Sequence, residues 1–110
     1  MSALQTEISF IAPTKNTDGS PITKALSFTA FIDTVTPPVK SFPVPSANVA
    51  AAVAGVITVT FAQLGFIPVA NTDYFVDVTA TDADGVSSPS ASVQFGYSVV
   101  PSAPTGLKVS

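Results

Sequence analysis

The chain contains no cysteine, histidine, tryptophan or arginine. Without imidazole or thiol, a Ser-His-Asp or Cys-His nucleophile system and any His or Cys metal site are excluded by inventory. Disulfides are excluded too, which leaves the redox compartment open, because two-layer β domains of this size fold without them. Charge is scarce: 4 Lys stand against 7 Asp and Glu, for a net charge of -3. That balance argues against nucleic acid or an anionic membrane as partner. The longest apolar run, residues 49–57, is too short and too rich in alanine to span a bilayer. The opening residues, Met1-Ser2-Ala3-Leu4-Gln5-Thr6-Glu7, carry neither a basic region nor an apolar run, so no export signal is expected.

What is present is apolar. The 110 residues are 46% hydrophobic, enough for one domain with a two-layer core. A mean hydropathy of +0.50 with 10% charged residues is high for a small free monomer. Part of the surface is therefore expected to be covered by another chain.

The apolar residues alternate with period two, the spacing of strands that bury one face. The clearest run is Tyr74, Val76, Val78 and Ala80 against Phe75, Asp77 and Thr79, closed by an Asp84-Gly85 turn. A tyrosine opening such a strand shortly after a proline, here Pro68, stands where sandwiches place a tyrosine corner, ring buried and hydroxyl returned to nearby backbone. Ile8 and Phe10 form an earlier strand that stops at Ala12-Pro13-Thr14, and 15–21 reads as a loop. Leu26, Phe28, Ala30 and Ile32 mark the next inward face. Residues 39–45 hold prolines and support only a short edge strand. Residues 46–55 read as an irregular connection or one or two helical turns. Ile57, Val59 and Phe61 give another strand, 63–72 a corner, and Ala91, Val93 and Phe95 the last strand. Seven or so short strands without long helices give an all-β antiparallel sandwich.

Two blocks carry a resemblance. The first is Ile8-Ser9-Phe10-Ile11-Ala12-Pro13-Thr14 with Asp18-Gly19-Ser20-Pro21-Ile22-Thr23. The second is Tyr74, Val76, Val78 and Ala80 followed by Asp84-Gly85 and Ser87-Ser88. Over most of the chain this resembles the fibronectin type III domain in its bacterial and phage form. The resemblance implies a seven-stranded Greek-key, immunoglobulin-like β-sandwich over residues 5–99, with Phe10 in place of the family's core tryptophan. It implies nothing about activity, because such sandwiches carry many functions. No Arg-Gly-Asp occurs in the loop 84–88, so integrin binding does not carry over.

The family's first strand is usually announced by proline-serine-alanine-proline-threonine, then a small residue and leucine. The residues before Ile8 lack it, whereas Pro101-Ser102-Ala103-Pro104-Thr105-Gly106-Leu107-Lys108-Val109-Ser110 reproduces it. The first strand is thus missing or displaced. The proline-rich tail, residues 100–110, either is flexible, begins a following module, or donates a strand to an adjacent protomer through Pro104, Leu107 and Val109.

No catalytic residue, cofactor or metal ligand set is expected. Asp82 and Asp84 with Gly85 resemble the opening of a calcium loop, but the third acidic ligand and the closing glutamate are absent, so an ordinary turn is expected. Asp73 and Asp77 share a strand face too far apart for acid/base work and are expected on a solvated sheet face. Phe31, Phe75 and Tyr97 are opposed to the core set, either as an exposed patch for a sugar or partner or as edge packing. The functional expectation is a non-enzymatic structural module of a phage virion, a decoration or tail-associated protein, contacting other virion or surface proteins and self-assembling through the tail. The alternative is an adhesive or carbohydrate-binding module of a secreted bacterial protein, located outside the cell or on its surface.

Overall fold

A computed structural model describes residues 4–110. The described chain is all-β apart from two short helices, with strands β1 Glu7–Ile11, β2 Ser27–Asp33, β3 Ser41–Pro43, β4 Val56–Thr60, β5 Tyr74–Asp82, β6 Gly85–Val86 and β7 Val93–Phe95. Helix α1 is Ser46–Ala50 and α2 is Phe61–Leu64. Every strand pair is antiparallel. Among the described residues one sheet pairs β1 with β4; the other runs β3-β2-β5-β6, with β7 also on β5. Among the described residues no helix is long and apolar enough to cross a membrane.

The layers meet through the alternating residues of β2, β4 and β5. Phe28, Ala30 and Ile32 of β2, Ile57 and Val59 of β4, and Tyr74 and Val76 of β5 are all buried. The rings of Phe10 and Phe28 bridge the two sheets at 5.1 Å between centroids. A second aromatic cluster closes one end of the core. There Phe66 meets Tyr74 edge-on at 5.1 Å, and Phe95 stacks on Tyr74 and Phe61 at 5.4 and 5.3 Å. Offset and edge-on pairs of this kind are favoured by the ring quadrupole.

Three local devices shape the strands. Thr60 accepts from the Gln63 backbone N–H at 3.1 Å while the Gln63 side chain accepts from the Thr60 N–H at 2.9 Å. This capping box starts a helical turn, and Gly65 ends it with a left-handed φ of 79°. The expected strand through Phe61 therefore stops at Thr60, and Phe61 is buried from a helix instead. The turn before β4 has positive φ at Ala54 (52°) and Gly55 (80°), the handedness a tight hairpin requires.

The edge of β5 opposite β2 is shared by β6 and β7 in registers that differ by two residues, since Thr81 pairs with Val86 but Val76 with Val93. Between them the hydroxyls of Ser87 and Ser90 accept from the Ala80 and Val78 N–H groups, each at 2.9 Å. Serine oxygens thus replace strand carbonyls where Pro89 interrupts the ladder. The expected strand from Ala91 is shorter for this reason and starts at Val93.

One face assignment needs correcting. Asp77 and Thr79 are buried, at 4% and 6% exposure, although they point away from the core set. Asp77 stands opposite Phe31 on the neighbouring strand and accepts from the Ser92 hydroxyl at 3.4 Å, so this sheet face is covered locally rather than solvated.

Candidate interaction surface

The strand edges differ sharply in protection, and an unprotected edge is a template for another strand. At one end of the larger sheet β3 has only three residues and contains Pro43. At the other, β6 and β7 are interrupted by Pro89. The outer edge of β4 is met by α1, whose Asn48 side chain donates to the Thr58 carbonyl at 3.0 Å. Among the described residues the outer edge of β1 has no such cover.

Which atoms lie on that edge follows from the ladder. The Phe61 N–H donates to the Thr6 carbonyl and the Ala12 N–H to the Gly55 carbonyl, both at 2.9 Å, in the same register as Ile8 with Val59 and Phe10 with Ile57. Antiparallel residues direct both backbone groups to one side, alternately, so Ile8 and Phe10 bond to β4 while Glu7, Ser9 and Ile11 point outward. Among the described residues the backbone groups of these three have no hydrogen-bond partner.

Burial shows the same opening. On β4, Ile57 and Val59 are 1% and 0% exposed, whereas the neighbouring Ile8 and Phe10 on β1 remain half-buried. Across the layer Val78, Ala80 and Phe95 are half-buried as well. Between them runs a seam of two successive depressions. One of about 230 Å³ is lined by Ile8, Phe61, Val76 and Phe95; the other, of about 210 Å³, by Phe10, Phe28, Val78 and Ala80. At the foot of the seam the buried Oε1 of Gln5 accepts no hydrogen bond from the described residues.

Tyr74 opens β5 with its ring buried, and its hydroxyl accepts from the Val69 N–H at 2.9 Å. Nearby, the Asn71 N–H donates to the Tyr97 carbonyl at 2.8 Å. The Asn71 side chain donates to the Val99 carbonyl and accepts from the Val99 N–H, at 3.3 and 3.1 Å. These bonds fasten the chain to the domain as far as Val99. Beyond them, residues 101–110 form no regular element and are all exposed, with Leu107 at 92% and Val109 at 98%. Pro104, Leu107 and Val109 are therefore presented to solvent rather than gathered on their own domain.

The remaining candidates have local explanations. Asp82 Oδ1 accepts from the backbone N–H groups of Asp84 and Gly85 at 2.8 and 3.2 Å, and Asp84 pairs with Lys24. The two carboxylates are thus engaged in their own turn and one surface ion pair. Among the described residues no three acidic side chains gather to hold a metal. Asp73 is exposed and Asp77 buried, so they form no joint site. Phe31, Phe75 and Tyr97 are half-buried, and the Tyr97 hydroxyl donates to the Pro68 carbonyl at 3.5 Å.

Asp18 and Asp33 have carboxyls held below the ordinary range. For Asp18 the cause is first the Ser20 hydroxyl and then the Ser20 N–H; for Asp33 it is first the Thr34 N–H. Both stabilise loops. Compared with known proteins, the chain matches no protein-family model, no curated protein and no solved structure.

Proposed function

We propose that this chain is a non-catalytic structural module of a virion, a phage decoration or tail-associated protein, acting through protein–protein contacts and self-assembly. The observation that carries the reading is apolar exposure against little charge. Ile11, Val39, Val53 and Ile67 are 76%, 72%, 76% and 84% exposed on the domain itself. Contact with other chains would cover this apolar area, which the few charges of the chain do little to offset.

The finer fold assignment, a fibronectin type III-like Greek key with its first strand missing or displaced, belongs to the same proposal. It is supported by the way the chain changes layer after β1, after β3 and after β4, leaving a two-stranded sheet opposite the larger one. The phage-type resemblance of Ile8 to Thr14 and Asp18 to Thr23 supports the virion as the setting. A carbohydrate-binding module would present open aromatic faces, and the half-buried Phe31, Phe75 and Tyr97 offer less of that.

Native mass measurement paired with electrophoresis through polysaccharide gels tests the proposal. Multi-copy assemblies with no retardation by polysaccharide are expected. A strictly monomeric mass together with retardation would replace this reading by the carbohydrate-binding one.

A further inference from the structure

Resting on the reading of this chain as an assembling module, we infer that the outer edge of β1 and the seam beneath it receive residues 105–109 of a second copy as an added antiparallel strand.

Donor and acceptor match in length, pattern and charge. Residues 105–109 are as long as the five-residue β1. Thr105, Leu107 and Val109 alternate with Gly106 and Lys108, so one face of the extended tail is apolar. The outward groups of β1 belong to Glu7, Ser9 and Ile11, whose side chains turn away from the core. A strand bonded to them directs its own hydrogen-bonded residues outward and the alternate ones inward. Setting Lys108 opposite Ser9 places Leu107 opposite Phe10 and Val109 opposite Ile8, both directed into the seam. Lys108 then lies on the outer face diagonally near Glu7, the one charged side chain of β1 beside the one charged side chain of the tail.

The tail's own domain is a poor recipient. Phe95 pairs with Tyr74 and stacks on Phe61, while Phe61 bonds to Thr6, so the chain leaves β7 at the pole where β1 begins. Antiparallel pairing with its own β1 requires the tail to reach the far pole first. Residues 100–104, with Pro101 and Pro104, extend about 17 Å, and β1 itself spans about 17 Å, so no residue is left for the reversal. The tail instead projects outward. The molecule measures 74 × 28 × 24 Å, and its radius of gyration is 18.4 Å, against about 13 Å for a compact chain of this length. Each copy thus carries one donor and one acceptor, a head-to-tail arrangement that yields a ring or an open row.

Sedimentation velocity on the full chain from micromolar to millimolar, with amide hydrogen exchange at Glu7, Ser9 and Ile11, tests the inference. Expected is concentration-dependent association with exchange at these amides slowing in step. The double variant Leu107→Asp with Val109→Asp, altering only side chains exposed in the single copy, is expected to weaken association roughly 100-fold or more, because each apolar side chain contributes roughly tenfold or more on burial. Unchanged association of the double variant would overturn the inference while leaving the assembly reading intact. Amides already protected in dilute monomer would overturn it in favour of the chain's own tail. A monomer at millimolar concentration would overturn both.

Discussion

Removing the Tyr74 hydroxyl isolates one hydrogen bond from the packing around it. In Tyr74→Phe the ring remains against Phe66 and Phe95, at 5.1 and 5.4 Å, and only the 2.9 Å bond from the Val69 N–H is lost. A neutral hydrogen bond of this kind contributes about 1 kcal/mol net, and leaving a buried donor unpaired adds to that cost. Val69 is 59% exposed, so water reaches its N–H once the hydroxyl is gone, and the added cost stays small. The expected loss is therefore about 1 kcal/mol, a fall in Tm of roughly 4 °C for a domain of this size. Tyr74→Ala, which also empties the ring's place in the aromatic cluster, is expected to cost roughly 3–5 kcal/mol. Urea unfolding with an unchanged slope gives both numbers. A neutral Tyr74→Phe, or one as damaging as Tyr74→Ala, would refute the assignment of a discrete bond in an otherwise packing-held corner.

Three further outcomes follow from single features. Ala54→Asn, placing Asn-Gly at the positive-φ turn of Ala54 and Gly55, is expected to stabilise the domain by roughly 0.5–1 kcal/mol in the same unfolding assay. Thr60→Ala, which removes the acceptor for the Gln63 N–H, is expected to cost about 1 kcal/mol by loss of the cap. Carboxyl NMR titration should find Asp18 and Asp33 below the ordinary range, and Ser20→Ala should raise the Asp18 value selectively. Because both folded values are depressed, their contribution is complete above the unfolded carboxylate pKa and is lost as pH falls through the folded values.

The strands that form the core were legible because their alternation is strict and their inward residues are purely apolar. Phe28, Ala30 and Ile32 on β2, and Tyr74 and Val76 on β5, are buried as period two requires. Phe61 was misread for a physical reason. It continues the alternation of Ile57 and Val59, but the capping box of Thr60 and Gln63 satisfies the backbone better as a helical turn. Asp77 and Thr79 occupy the outward face by parity, yet whether that face is wet depends on tertiary neighbours such as Phe31 and Ser92 that periodicity cannot report. Ser87 and Ser90 resemble ordinary loop residues; only the two-residue register offset between β6 and β7 reveals them as substitutes for strand carbonyls. Within the candidate surface the tail was visible as a spaced apolar segment. The β1 edge was not, since which strand lacks a neighbour is a property of topology rather than of any local pattern.

The most direct test of strand donation is an isotope-filtered NMR experiment on a mixture of labelled and unlabelled chains. Contacts between the Leu107 methyls of one copy and the Phe10 ring of another are expected across the label boundary. Their presence only within a single chain, or their absence from a sample that nevertheless associates, would contradict it.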